Sequence, residues 1–350
     1  MNQSPSADRP VLVLYTGGTL GMVPSAEGLA PGGNIEPRLR QALASLPPSR
    51  QARLPRFSVL STSAPIDSSA ASPRDWQRLG ATIAGHLSDH AGVVVLHGTD
   101  TLSWTASSLA YQLQGLDRPV VVTGAMQPLE AEGSDALDNL ELALRYAAMP
   151  ALQEVAVAFA GRLLRGVRTR KTHSEASDAF ASLNYPVLGE RIDDDAILFP
   201  GRGLEARQRG APRFELADYS VLADGGVVRV ALWPGIQAWQ LAAWLDDPRV
   251  RGALLEVWGG GNVPPDPDLI GVLAKASGEG KLIAAISQCP VGGIAPGHYA
   301  AGQGLLQAGV LSGDTMTTEA AMAKLVHLLA QPLDEQERRR RFLTPLVGER

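Results

Sequence analysis

Hydrophobic positions along this chain fall into two alternating patterns. Short, mainly apolar runs occupy residues 11–15, 93–97, 119–123 and 154–159, and 57–61 reads as a further short strand. Runs of that length, rich in Val and bounded by Gly or hydroxyl residues, predict strands buried on both faces of a parallel sheet. Between them lie longer stretches of helical periodicity. The spacing predicts helices from Pro37 to about residue 46, from Pro73 to about 87, after Thr101 to about 113, and over 135–147. Ser72 is placed to cap the second of these, with Pro73 in its first turn. Residues 23–36 are rich in Gly, Pro and Ala, have no period, and read as a long loop that could act as a lid. Residues 189–225 also lose the pattern. Beyond them strands are expected at 226–232, 253–258 and 282–287, and helices at 236–245, 268–276 and 317–330, the last capped by Thr317. The expectation is an α/β protein. A larger N-terminal parallel-sheet domain with helices on both faces (1–200) would be joined by a linker (201–225) to a smaller C-terminal α/β domain (226–350).

Composition narrows the function classes. With 45% hydrophobic and 19% charged residues, the 350-residue chain is that of a globular protein rather than a disordered one. A formal charge of −5 gives no electrostatic case for a nucleic-acid partner or an anionic membrane. Cys289 is the single cysteine, which removes intrachain disulfides and argues against a Cys-based zinc site. The opening ten residues are polar, the first apolar run is too short for a signal-peptide core, and no run approaches a membrane span, so a cytoplasmic protein is expected. Near the end, Asp334, Glu335 and Glu337 precede Arg338–Arg341. Acid-first spacing of four residues reads as a solvated helical face rather than a nucleic-acid patch.

Candidate chemistry sits where the strands end. Thr16-Gly17-Gly18-Thr19 follows the first run, His97-Gly98-Thr99-Asp100-Thr101 another, and Arg165-Gly166-Val167-Arg168-Thr169-Arg170-Lys171 the run at 154–159. Ligands in open α/β sheets bind at the carboxyl ends of strands. Brought together, these segments would hold threonines, one carboxylate and one lysine. A threonine hydroxyl is a weak nucleophile that needs a base beside it, and a lysine held by an aspartate can relay or polarise. Backbone amides next to glycines can face a developing oxyanion. Each part also has a plainer reading. Lys171 could face solvent, Asp100 could cap a helix, His97 could be a satisfied core histidine, and Cys289 a small buried hydrophobe. The residues alone reach a hydrolase or a ligand-binding α/β protein.

The motif set resembles the asparaginase/glutaminase family, in its type I, cytoplasmic branch. Its two threonine signatures are matched by VLYTGGTLG and VVVLHGTDTL, and RGVRTRK follows in family order. Asp67-Ser68-Ser69 with Pro73 and Asp75-Trp76, Thr123-Gly124-Ala125-Met126, Ser134-Asp135 with Asn139, Gly259-Gly260-Gly261-Asn262 and Ser287-Gln288-Cys289 also fit, so the resemblance runs over about residues 11–330. It implies an L-asparagine amidohydrolase forming an acyl-threonine ester, with no metal or organic cofactor. Thr16 would be the nucleophile. Thr99, Asp100 and Lys171 would form a second cluster, and Ser68, Ser69, Thr99 and Asp100 would hold the substrate. Asn262 would reach a site across a subunit interface in a homodimer or homotetramer. A glutaminase-asparaginase or related amidase is the alternative within the class, and a silent amino-acid sensor the alternative outside it. Amidotransferase relatives that serve transfer RNA carry an added N-terminal domain, which is not expected here because TGGT begins at Thr16.

Two departures from the family pattern stand out. A lid tyrosine usually follows a glycine in the loop after TGGT, whereas Gly28 here precedes Leu29, and no tyrosine occurs between Tyr15 and Tyr111. Some type I relatives also bind a second asparagine as an activator. The resemblance puts those contacts at Arg170, often threonine in the family, at Glu256, where the family has arginine, and at Cys289, which is retained. A reversed charge at Glu256 predicts loss of that response, whether or not Arg170 pairs with it.

Overall fold

A computed structural model describes residues 9–26, 28–63, 65–295 and 300–350; the rest of the polar opening stretch and Glu27 lie outside them. The chain divides into two units between Leu216 and Ala217.

The first unit is built on β1 (Val11–Tyr15), whose five residues are all buried. Each Val or Leu buried this way contributes about 1.5–3 kcal/mol. Its neighbours are β4 (Phe57–Ser61) and β5 (Val93–Leu96); a hairpin of β2 (Met22–Ser25) and β3 (Gly28–Pro31) separates β1 from β4 in the chain. Next to β5 come β6 (Val120–Thr123), β7 (Val155–Phe159) and β8 (Arg162–Arg165). A two-stranded ribbon of β9 (Thr169–Lys171) and β10 (Phe180–Ser182) leads to β11 (Gly189–Ile192) and β12 (Asp195–Leu198). The sheet order is β12-β11-β8-β7-β6-β5-β1-β4. Pairing is parallel from β4 to β7 and antiparallel from β7 to β12. Register matters more than order here. Tyr15 aligns with Ser61 and with Leu96, and Leu96 aligns with Thr123. The segments after β1, β4, β5 and β6 therefore leave the sheet at one edge.

Helices α1 (Ile35–Ala44), α2 (Pro48–Gln51), α3 (Pro73–His86), α4 (Leu102–Gln112) and α5 (Ala136–Ala147) complete this unit. Ile35, Leu39 and Leu43 of α1 and Leu140 and Leu144 of α5 share a core with Val11, Val13 and Tyr15. Successive strand residues point to opposite faces, and Leu12 and Leu14 are buried on the other one. Helices α3 and α4 pack on each other, and α4 packs on β6 and β7. The start of α3 is fixed as the sequence predicts, with Asp75 accepting from Ser72 N and Oγ at 2.8 Å each.

Three expectations need correction in this unit. Residues 23–36 are not a loop: they hold most of the β2–β3 hairpin and the start of α1, which is capped by Asn34 rather than opened at Pro37. Short two-stranded ribbons with Pro and Gly in them carry no clean alternation, so the pattern hides them. Residues 189–198 form the β11–β12 hairpin instead of losing structure. The sheet also continues past the parallel strands as antiparallel ones.

The second unit is a parallel sheet of β13 (Val227–Ala231), β14 (Gly252–Val257), β15 (Leu282–Ser287) and β16 (Leu311–Ser312), in that order. Around it lie α6 (Ala238–Leu245), α7 (Pro267–Gly278), α8 (Ala300–Gln307), α9 (Thr318–Ala330) and α10 (Glu335–Leu343). Leu241 and Leu245 of α6 and Leu269 and Leu273 of α7 share a core with Val230 and Leu255. Helix α9 is capped by Thr317, whose hydroxyl accepts from Ala320 N. In α10 the acids serve both the backbone and the arginines. Asp334 caps Glu337 N, Glu337 pairs with Arg340, and Arg339 reaches Gly309 O.

Candidate active site

Three loops of the first unit converge because glycine lets their backbones touch. Gly17 and Gly18 have φ of 121° and 88°, the region glycine favours. A Cβ on Gly18 would stand 2.5 Å from Gly98 N, and one on Gly98 would stand 2.4 Å from Ser68 Oγ. The TGGT turn, the HGTDT turn and the Ser68 turn are therefore in direct contact. Ile66 N donates to Thr16 O at 2.6 Å, and Thr101 Oγ1 donates to Ser68 O at 2.7 Å, which pins the third turn to the other two.

Thr16 is buried, and its hydroxyl donates to Leu96 O at 2.8 Å. Thr99 is buried as well. Lys171, on β9, brings its Nζ 2.9 Å from Thr99 Oγ1 and 2.9 Å from Asp100 Oδ1. The ammonium has only donors, so the Thr99 oxygen must accept, and the Thr99 proton is left to point elsewhere. The plain reading of Lys171 as a solvent-facing side chain fails on this geometry. So does the reading of Asp100 as a helix cap, since α4 begins at Leu102 behind Thr101 and the Asp100 carboxylate binds lysine. The plain reading of His97 fits. Its Nδ1 lies 2.8 Å from Gly98 O and its Nε2 3.0 Å from Thr105 Oγ1. The carbonyl requires a proton on Nδ1, so Nε2 accepts from Thr105. Burial pushes the His97 pKa down, which keeps the ring neutral.

Ser68 is buried and Ser69 is exposed. Ser69 gives both its N–H and its hydroxyl to Asp67 Oδ1, each at 2.9 Å, and these bonds hold the Asp67 carboxyl below its usual range. Behind the site, Asp135 accepts from Met126 N, Gln127 N and Asn139 Nδ2, and Asn139 also donates to Gly124 O. This ties the turn after β6 to α5. The β2–β3 hairpin is anchored by Arg38, which donates to Gly21 O and pairs with Glu130. Leu29, where the family pattern has tyrosine, lies on β3 with its side chain half in solvent.

Sequence reasoning missed the support behind Lys171. Arg165 and Glu154 form a buried pair at 2.7 Å, and Thr169 Oγ1 donates to Arg165 O at 2.7 Å, so the strand carrying the lysine is fixed from below. The signal was available as Glu154 standing at the head of an otherwise apolar run. Among the described residues no cluster of three or more His, Cys, Asp or Glu could hold a metal ion.

In the second unit, Asn262 lies in the turn after β14, bridged to Trp258. Its Oδ1 is buried and has no hydrogen-bond partner among the described residues. Glu256 is buried on β14 and binds Arg229 at 3.0 and 2.9 Å and Thr318 Oγ1 at 2.7 Å. Within this unit its cationic partner is Arg229. Cys289 is an exposed free thiol rather than a buried hydrophobe.

Residues 10–201 match the family model described as "Asparaginase, N-terminal", and residues 226–342 match "Glutaminase/Asparaginase C-terminal domain". The chain is 37% identical over 347 residues to L-asparaginase 1 of Escherichia coli (strain K12), covering 97% of this chain and 98% of that protein. Its fold is similar to the crystal structure of L-asparaginase I from Vibrio cholerae, with a TM-score of 0.86 at 34% identity, over 97% of this chain and 98% of that one. The thermostable L-asparaginase from Thermococcus kodakarensis is similar over the same shares, with a TM-score of 0.83 at 29% identity. The chain has a two-unit α/β fold and is a hydrolase acting on amides. It belongs to the asparaginase family, as its motifs led one to expect.

Proposed function

We propose that this protein hydrolyses L-asparagine to L-aspartate and ammonia through an ester on Thr16. The observation that carries the reading is the Lys171 ammonium bonded to both Thr99 and Asp100, on a turn that touches the Thr16 turn at Gly18 and Gly98. Thr16 Oγ1 forms a bond to the side-chain amide carbon. The amine departs as ammonia, taking the proton the hydroxyl gives up. Water then cleaves the ester, releasing the carboxylate and restoring the Thr16 hydroxyl. Lys171 serves the proton movements through Thr99, and Asp100 holds the ammonium in place. The backbone amides of the two glycine turns are the candidate donors to the oxyanion.

Ser68, Ser69, Thr99 and Asp100 take the substrate's α-amino and α-carboxylate ends. Asn262 serves a site completed by a second copy, so the active unit is a homodimer or a homotetramer; its unpartnered buried Oδ1 is a group a ligand would satisfy. In this reading residues 201–225 link the catalytic domain to the smaller one, and the enzyme works in the cytoplasm. No helix among the described residues is long and apolar enough to cross a membrane.

The test is ammonia release from asparagine and from glutamine, measured side by side. Release from asparagine at the higher kcat/KM is expected. A higher value for glutamine assigns the glutaminase alternative. No release from either substrate, with amino-acid binding retained, assigns the sensor, the reading that Leu29 in place of a lid tyrosine favours.

A further inference from the structure

The turn that carries Thr16 is held at its near end by Ile66 N, which donates to Thr16 O. Its far end is held by a guanidinium. After Thr16-Gly17-Gly18 comes a single helical turn, Thr19–Gly21, in which Gly21 N donates to Gly18 O at 3.1 Å. The β2–β3 hairpin starts at the next residue. Gly32, just past the hairpin, returns its N–H to Gly21 O at 3.0 Å. Arg38 of α1 closes on the same carbonyl, with Nη1 donating to Gly21 O at 2.8 Å and Nη2 to Met22 O at 3.4 Å. The rest of the fork goes to the segment after β6. Nε and Nη2 each donate to a Glu130 oxygen at 2.6 Å. Beside them, Leu129 N donates to Leu20 O at 3.1 Å.

The approach is tight on both sides of this clamp. A Cβ on Gly32 would stand 2.3 Å from Arg38 Nη1, and one on Gly21 would stand 2.0 Å from Tyr15 Oη. Tyr15 precedes Thr16 on β1. Burial raises its hydroxyl pKa and the charge of Arg38 opposes that rise, which places the guanidinium near the tyrosine. Two short paths therefore run from Arg38 to Thr16. One passes through Gly21 and Gly18, the other past Tyr15.

The clamp contributes little to holding the fold. Helix α1 is fixed on the core by Ile35, Leu39 and Leu43. The Glu130 side chain is 53% exposed, and an ion pair this open to water adds little stability. Geometry is what the clamp supplies. A guanidinium is a planar fork that meets a carboxylate with two parallel bonds, and a lysine ammonium has no such fork.

We propose that Arg38, paired with Glu130, is a positioning residue for the reaction at Thr16: it fixes the far end of the Thr16 turn and the base of the hairpin, and so governs turnover more than substrate affinity. This inference rests on the functional reading above, which places the substrate's charged ends on Ser68, Ser69, Thr99 and Asp100. None of those side chains bonds to Arg38, whereas the Thr16 turn is linked to it through Gly21. A shift of about 1 Å in a reacting atom can cost on the order of 10²-fold in rate.

Steady-state kinetics with asparagine compares wild type with Arg38→Lys and Glu130→Gln, well below their melting temperatures. Amide hydrogen exchange is followed in the same proteins. Arg38→Lys keeps the charge and loses the fork. Its kcat is expected to fall by about tenfold or more with KM within about twofold of wild type. Exchange across 18–32 is expected to quicken several-fold while that of 35–43 stays unchanged. Glu130→Gln is expected to fall between the two. A wild-type kcat in Arg38→Lys overturns the proposal, and with altered exchange it leaves the clamp a structural feature alone. A rise confined to KM, unchanged exchange across 18–32, or faster exchange throughout the chain also overturns it. A wild type that turns over neither asparagine nor glutamine overturns the functional reading together with this inference. An active wild type whose kcat survives Arg38→Lys overturns this inference alone.

Discussion

Lys171 Nζ lies 2.9 Å from Thr99 Oγ1, across 72 residues of sequence. The same ammonium binds Asp100, so the turn after β5 and the ribbon β9–β10 meet at one cation. A group placed to move protons acts mainly in the transition state. Lys171→Met is expected to lower kcat by about 10²–10⁴-fold with a much smaller change in KM. Steady-state kinetics with asparagine decides it. A change confined to KM would make Lys171 a binding residue.

Thr16→Ala removes the proposed nucleophile and one methyl-sized volume from a buried site. Turnover is expected to fall by several orders of magnitude while asparagine binding, read by calorimetry, stays within a few-fold of wild type. A Thr16→Ala enzyme that keeps roughly a tenth of the wild-type rate would move the nucleophile to Thr99.

Glu256 uses its carboxylate on Arg229 and Thr318. An effector's α-carboxylate would meet a negative group whose nearest guanidinium is already engaged. An effector that gains no differential affinity shifts no equilibrium. Asparagine saturation is therefore expected to be hyperbolic. Initial rates over a wide asparagine range test this, and a Hill coefficient clearly above one at several enzyme concentrations contradicts it.

Lys324 and Glu349 form a fully buried pair, and Lys324 also donates to Phe342 O and Thr344 O. Burial pulls the lysine pKa down to about 8, so it is still charged at pH 7. Removing one partner of a buried pair leaves a bare charge, at a cost of about 3–5 kcal/mol. Thermal melting is expected to show a large loss for Lys324→Met and recovery of most of it in Lys324→Met/Glu349→Gln. Equal Tm values for the two variants would remove the pair from the stability of this unit.

The same carboxylate sets an acid response. Burial alone would raise the Glu349 pKa, but Lys324 and the N–H groups of Leu346 and Val347 hold it below the ordinary 4.5. A folded pKa below the unfolded one gives stability that is complete above about pH 4.5 and is lost as pH falls through the folded value. Wild type should therefore lose more stability below pH 4.5 than the double variant, as read from melting curves across that range.

The sequence by itself determined the parts whose information is local. Strand β15 and helix α9 lie where the pattern puts them, because a buried strand is a continuous apolar run and a Thr cap marks a helix start. The segments TGGT, HGTDT and RGVRTRK were legible for the same reason, since each is a contiguous stretch. Tertiary structure alone decided what depends on contacts between distant residues. It brought Gly18 against Gly98 and Lys171 against Thr99, paired Glu256 with Arg229 on a neighbouring strand, and turned Cys289 outward. It also made ribbons of residues 22–31 and 189–198, whose pairing comes from register with a partner strand rather than from any period of their own. A side chain's type is written in the chain; its partner is chosen by packing, and packing is a property of the whole sheet.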